Sequence, residues 1–78
     1  MVVASDIIEL FESADISIDT SIVAEDEPLR TYGIDSMDVA VLILQVERRY
    51  GLTVSPAQSN GLRSLRDFVE LVNGVTGP

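Results

Sequence analysis

The fold is decided by the stretch Ser36–Tyr50, which reads SMDVAVLILQVERRY. Its fifteen residues contain neither glycine nor proline, and Gly51 follows directly, as a helix C-cap would. A buried strand over residues 39–44 is the rival interpretation, but the length of the run and the glycine that ends it favour a helix. We therefore predict a helix over this stretch, with Asp35 or Ser36 as its N-cap.

This helix carries apolar side chains on two faces. The first face follows the spacing i, i+3, i+4, i+7 and i+11 and is expected to face the core: Val39, Leu42, Ile43, Val46 and Tyr50. The second face follows the spacing i, i+4, i+7 and i+11: Met37, Val41, Leu44 and Arg48. Either the helix is central and buried on all sides, or the second face is a contact surface. A chain of 78 residues has little material to wrap a helix completely, so we favour an exposed contact surface.

The residues before this helix predict one amphipathic helix and a long loop. Over residues 3–14, four apolar side chains recur at helical spacing, opposite acidic ones: Ala4, Ile7, Ile8 and Phe11. Residues 15–35 are interrupted by Pro28 and Gly33. Ile16 and Ile18 alternate as in a short strand, but we prefer an ordered loop held by its apolar side chains. A loop of this length is uncommon in a compact domain unless it is functional.

Two more helices are predicted after the central one. A short one begins at the pair Ser55-Pro56, because proline suits the first helical position, and runs to about residue 60. The last one begins after Ser64, with Asp67 three residues further on as in a capping box, and Gly74 is expected to end it. Its core stripe is predicted as a set of four apolar residues: Leu65, Phe68, Val69 and Val72.

Composition limits both the fold and the chemistry. Hydrophobic residues make up 46% of the chain, so we expect one all-α domain over residues 1–78, a small four-helix bundle with three main helices and one short one. There is no cysteine, histidine or lysine, which removes the thiol nucleophile, the usual general base and most zinc sites. The net charge of −8 disfavours nucleic acid and anionic membranes as partners and favours basic proteins. With no signal peptide and no apolar run of membrane length, a cytoplasmic monomer is expected.

Ser36 lies in the one segment where a hydroxyl and two carboxylates stand close together in the sequence, Gly33-Ile34-Asp35-Ser36-Met37-Asp38. It stands where a loop becomes a helix N-terminus, a position that tolerates a phosphate oxygen well. The simplest alternative is that Ser36 only caps the helix. As a nucleophile it would lack an activating histidine or lysine, so modification by another enzyme is favoured over catalysis by the chain itself.

The run from Leu29 to Asp38 resembles the attachment motif of acyl carrier proteins, a leucine and a short spacer followed by Gly-x-Asp-Ser-Leu/Met. The resemblance extends over essentially the whole chain. It implies that a phosphopantetheinyl transferase attaches 4′-phosphopantetheine from coenzyme A to Ser36 through a phosphodiester. The terminal thiol of that arm would carry acyl groups as thioesters, which explains a domain without reactive side chains of its own.

The same resemblance implies which residues partner enzymes recognise. Asp35 and Asp38 would meet basic residues of the transferase and of acyl-transferring, synthase or ligase enzymes, and Asp38 would help to position the magnesium of the transfer reaction. Apolar contacts would come from the second face of the helix: Met37, Val41 and Leu44. The chain departs from the family's fatty acid carriers in that Val41 stands where glutamate is common, and Arg48 and Arg49 stand where acids are common. These departures favour a specialised carrier, and the Asp-Ser-Met core also occurs in D-alanyl carriers.

Two alternatives from other classes stay open. The first is a helical adaptor that binds a partner helix through its second helix, with Ser36 only a cap. The second is a minimal enzyme that uses Asp35, Ser36 and Asp38.

Overall fold

The fold is that of a small helical bundle. In a computed structural model that describes residues 2–16 and 23–76, the chain forms four α-helices and one 3₁₀ turn. In chain order these elements are α1 (Ala4–Ser13), the 3₁₀ turn (Leu29–Tyr32), α2 (Ser36–Tyr50), α3 (Pro56–Asn60) and α4 (Leu65–Thr76). No strand occurs in the described ranges, so the predicted all-α bundle is confirmed and the strand alternative over residues 39–44 is wrong. None of the described helices is long and apolar enough to cross a membrane.

The core is built from the predicted stripes of the three long helices. The members with no exposed surface are Ile7, Phe11, Leu42, Val46, Leu65, Phe68 and Val72. The other members are half-buried against them: Ala4, Ile8, Val39, Ile43, Tyr50 and Val69. The predicted stripe of α1 omitted Leu10, which is also buried. Because α1 packs against both α2 and α4, the three long helices share one apolar core.

Helix α2 exposes its second apolar face. Met37 is 76% exposed, Val41 41% and Leu44 43%, whereas Leu42 and Val46 on the first face are fully buried. Arg48 is exposed as well. The alternative of a helix buried on all sides is therefore wrong. We call the exposed set of Met37, Val41, Leu44 and Arg48 the outer stripe.

The loop before α2 contains a helical turn that its sequence did not indicate. Pro28, with φ −59°, precedes the 3₁₀ turn, and the amide of Thr31 donates to its carbonyl oxygen at 3.0 Å. Leu29 is buried, and Gly33 ends the turn with φ +85°. Four residues are too few to show a helical period in the sequence. The loop prediction stays untested over residues 17–22, which include Ile18, because these residues lie outside the described ranges.

Backbone hydrogen bonds attach this loop to the start of α4. The amide of Leu29 donates to the carbonyl of Arg63 at 2.7 Å, and the amide of Arg66 donates to the carbonyl of Glu25 at 2.9 Å. Within the loop, the amide of Ala24 donates to the hydroxyl of Tyr32 at 3.0 Å. The segment that leads into α2 is therefore held against the α3–α4 connection.

Helix α4 continues past Gly74, and the predicted end at that residue is wrong. The side chain of Asn73, in the last turn, accepts a hydrogen bond from the amide of Val2 at 2.8 Å and donates one to the Val2 carbonyl at 3.1 Å. This pair attaches the last turn of α4 to the start of the chain, which offsets the weak helix propensity of glycine. Residues 77 and 78 lie outside the described part of the chain.

The two faces of α2 can be separated by paired substitutions. Leu42→Ala should lower the free energy of unfolding by about 2–5 kcal/mol, because it leaves a cavity in the core. Leu44→Ala, two residues further on, should lower it by less than about 1 kcal/mol, because that side chain already contacts water. Urea denaturation followed by circular dichroism measures both values. Equal losses would mean that α2 is buried on both faces in solution.

Candidate functional site

Asp35, not Ser36, caps helix α2. The carboxylate of Asp35 accepts a hydrogen bond from the amide of Asp38 at 2.9 Å. The carboxylate of Asp38 accepts one from the amide of Asp35 at 3.3 Å, which completes a capping box. Both acids that flank Ser36 are thus occupied with the backbone. The alternative in which Ser36 serves as the cap is wrong.

Ser36 is consequently the first residue inside the helix, with its side chain exposed. Its hydroxyl has no hydrogen-bond partner among the described residues. In the same part of the chain, the amides of Ser36 and Met37 also lack acceptors, as expected for the first turn of a helix. The site therefore offers a free hydroxyl beside free N–H donors, at the positive end of the helix dipole.

The backbone before α2 explains why Ser36 lies at the surface. Leu29 and Ile34 are both buried, at 1% and 3% exposure, and they anchor the chain on either side of the 3₁₀ turn. Gly33 connects them in the left-handed region, where a Cβ would meet no atom within 4 Å but the backbone would be strained. After Ile34 the chain turns outward, and Asp35 and Ser36 are exposed.

A cleft of about 390 Å³ opens beside Ser36, between the 3₁₀ turn, the start of α2 and the α3–α4 connection. Its apolar lining is buried or half-buried: Leu29, Ile34, Val39 and Leu62. Ser36 lies at its exposed edge together with Arg30 and Arg63. The cleft thus combines an apolar floor with a polar, partly basic rim.

Sequence analysis did not predict Arg30 or Arg63 at this site. They are far apart along the chain; Arg30 stands in the spacer of the attachment motif, and Arg63 stands outside it. The hydrogen bond from the Leu29 amide to the Arg63 carbonyl brings their segments together. Only the tertiary structure could place them on one cleft.

Five of the six predicted recognition residues lie on α2, and the sixth, Asp35, is its N-cap. Asp35 and Met37 adjoin Ser36 and are exposed, and Asp38 is half-buried. The remaining three follow on the outer stripe: Val41, Leu44 and Arg48. Ser36 and the candidate contact residues other than Asp38 are therefore all exposed on the same helix or at its N-cap.

The far end of α2 lies near the acidic side of α1. Burial raises the pKa of Tyr50, the last residue of α2, and the carboxylates of Asp6 and Glu9 raise it further, whereas Arg49 acts in the opposite direction. These effects show that acids of α1 act on the end of α2 that carries its two arginines. The basic character of that end is therefore offset in part by α1.

Substitution at the start of α2 distinguishes the cap from the exposed hydroxyl. Asp35→Ala should lower the free energy of unfolding by about 1 kcal/mol, because the amide of Asp38 loses its acceptor. Ser36→Ala should change it by less than about 0.5 kcal/mol, because the hydroxyl bonds to no described residue. Thermal or urea unfolding of the two variants beside the unchanged protein gives both numbers. An equal loss in Ser36→Ala would show that the serine is a cap after all.

Comparison with known proteins agrees with this geometry. The profile of the family described as "Phosphopantetheine attachment site" matches residues 5–72. A protein of Streptomyces coelicolor described as "Probable acyl carrier protein" is 37% identical over 49 residues, which is 63% of this chain and 53% of that protein. The chain thus spans about half the length of the curated relative it matches. No solved structure matches the chain.

The family match covers most of the chain, including the capping box and the cleft. Members of this family bind 4′-phosphopantetheine covalently and carry groups on it, so the minimal-enzyme hypothesis is wrong. The chain therefore belongs to the acyl carrier protein family, as a carrier with a phosphopantetheine attachment site and not as an enzyme.

Proposed function

We propose that Ser36 is the attachment residue and that the chain carries acyl or aminoacyl groups as thioesters for enzymes of fatty acid, lipid or polyketide-type biosynthesis. The observation that carries this proposal is the Ser36 hydroxyl, which is exposed and has no hydrogen-bond partner in the described structure. Because Asp35 caps the helix, modification of Ser36 would not remove the cap. The residues around Ser36 fit the phosphopantetheine arm, since free amides and a cleft adjoin the hydroxyl.

The attachment step requires a second protein. The Ser36 oxygen forms a new bond to phosphorus while the pyrophosphate bond of coenzyme A breaks, and adenosine 3′,5′-bisphosphate leaves. The hydroxyl proton must go to a base, and this chain has neither histidine nor lysine to accept it. The phosphopantetheinyl transferase supplies that base. When bound, the arm supplies the thiol that the chain lacks.

The cleft beside Ser36 is the proposed place for the carried group. Its apolar lining, with Leu29, Ile34 and Leu62 from the core and Val39 packed against it, suits an acyl chain. A D-alanyl or peptidyl-type carrier would use the same attachment residue for a different cargo.

The outer stripe and the two acids beside Ser36 are proposed as the docking surface for partner enzymes. Asp35 and Asp38 attract basic residues, and Met37, Val41 and Leu44 offer exposed apolar area. Valine at 41 and arginine at 48 make this surface more apolar and more basic than the acidic second helix of fatty acid carriers. We therefore expect a dedicated synthase, ligase or transferase as partner. A cytoplasmic location stays a prediction.

The attachment residue is tested by mass spectrometry. The chain is incubated with coenzyme A, magnesium and a promiscuous phosphopantetheinyl transferase, and its mass should rise by one phosphopantetheine group. Peptide fragmentation should place that group on Ser36.

Ser36→Ala and Ser59→Ala provide the matched pair of controls for this experiment. Ser36→Ala should stay unmodified, whereas Ser59→Ala, in α3, should be modified like the unchanged chain. No mass increase, or an increase that survives Ser36→Ala, would contradict the proposal. A helical adaptor that ignores Ser36 would be the remaining hypothesis.

The docking surface is tested by the kinetics of the same transferase. The double variant Met37→Ala/Leu44→Ala should lower kcat/KM about fivefold or more, which corresponds to about 1 kcal/mol of lost contact. The loss should lie in KM, because the reacting hydroxyl is unchanged. Val3→Ala removes an exposed apolar side chain from the start of α1 and is the control, with no expected effect. Equal KM values for all three proteins would mean that the outer stripe does not contact the transferase.

A further inference from the structure

Two arginines share the cleft with Ser36 in a chain that is otherwise strongly acidic. The sequence has five arginines against thirteen acids, and two of the five, Arg30 and Arg63, line this one cleft. We propose that their guanidinium groups form an oxyanion site at the mouth of the cleft and bind the phosphodiester of the arm on Ser36. This inference rests on the proposed function, and it assigns a role to a spacer residue of the motif run and to a residue outside that run.

Backbone hydrogen bonds bring the segments of the two arginines together at the cleft. The carbonyl of Arg63 accepts from the Leu29 amide at 2.7 Å, and the amide of Arg63 donates to the Asp67 carboxylate at 2.9 Å. The backbone of Arg63 is therefore held in both directions. Arg30 follows Leu29 directly within the 3₁₀ turn. Both side chains are exposed and line the cleft, and the backbone that carries them is in place before any ligand binds.

Neither guanidinium is already occupied. In the described part of the chain, neither forms an ion pair or a side-chain hydrogen bond. The one acidic residue among those that line the cleft is Asp35, and its carboxylate accepts the bond that caps α2. Five donors on each guanidinium therefore remain for an external acceptor.

Charge balance favours an oxyanion as that acceptor. A phosphodiester on Ser36 would stand at the same helix N-terminus as the carboxylates of Asp35 and Asp38, which repel it. Two guanidiniums on the same cleft offset those two carboxylates, and the planar donors of arginine match the geometry of phosphate oxygens. Holding the phosphodiester there would keep the rest of the arm along the cleft.

A second anion could bind the same two arginines, namely the free carboxylate of a dicarboxylic acyl group at the end of the arm.

To distinguish the two anions, the transferase is supplied with coenzyme A, propionyl-coenzyme A or malonyl-coenzyme A, and the mass confirms each product. The Nε–Hε signals of the arginines in the ¹⁵N-labelled protein and the ³¹P signal of the arm are then recorded. Attachment of the unloaded arm should shift the signals of Arg30 and Arg63 and leave the signal of Arg49 in place.

The matched variants are Arg30→Gln/Arg63→Gln and Arg49→Gln. The double variant should return the ³¹P signal to the position of a free phosphodiester. Arg49→Gln, at the far end of α2, removes an exposed arginine outside the cleft and should leave the ³¹P signal unchanged. Shifts that occur with all three arms identify the phosphodiester as the ligand, and shifts with the malonyl arm alone identify the cargo carboxylate at the same oxyanion site.

Two failures can be told apart. A mass increase without movement of either arginine signal in any of the three forms overturns the oxyanion site and leaves the carrier function intact. No mass increase overturns the attachment at Ser36 and, with it, this inference.

Discussion

The hydrogen bond from the Asp38 amide to the Asp35 carboxylate determines what the rest of the site can do. It satisfies the Asp38 amide in the first turn of α2 with the residue before Ser36, so that Ser36 is left as the first helical residue with an unoccupied hydroxyl. Had the serine been the cap, its oxygen would have been used by the helix. The same bond and its reciprocal partner occupy two carboxylates that would otherwise lie free beside Ser36.

Helix α2 is buried on one face, which attaches it to the core, and exposed on the other face, which carries the outer stripe. Leu42 and Val46 fix the helix to the core, and Leu29 and Ile34 fix the segment before it. Because both ends of this arrangement are buried, the exposed surface from Ser36 along the outer stripe keeps a defined shape. The proposed docking surface would therefore need little rearrangement on binding.

The distribution of charge is as informative as its sum. A net charge of −8 predicts basic partners, but it hides the two arginines at the cleft beside Ser36. An acidic surface can attract a transferase while a local basic site holds an anionic arm, because the two act at different distances. Members of one carrier family can then differ in how tightly they hold their arm without any change in the attachment motif.

The sequence alone determined the helices and the attachment motif, because these depend on neighbours along the chain. The bounds of α2 and α3 followed from Gly51 and Pro56, and the core stripes followed from helical spacing. What only the tertiary structure decided depends on contacts between distant segments. The exposed face of α2 is set by where α1 packs, the extension of α4 past Gly74 goes with the bonds of Asn73 to Val2, and the cleft arginines meet through the bond from Leu29 to Arg63. Periodicity reports which side chains share a face, but it carries no information on which other segment covers that face.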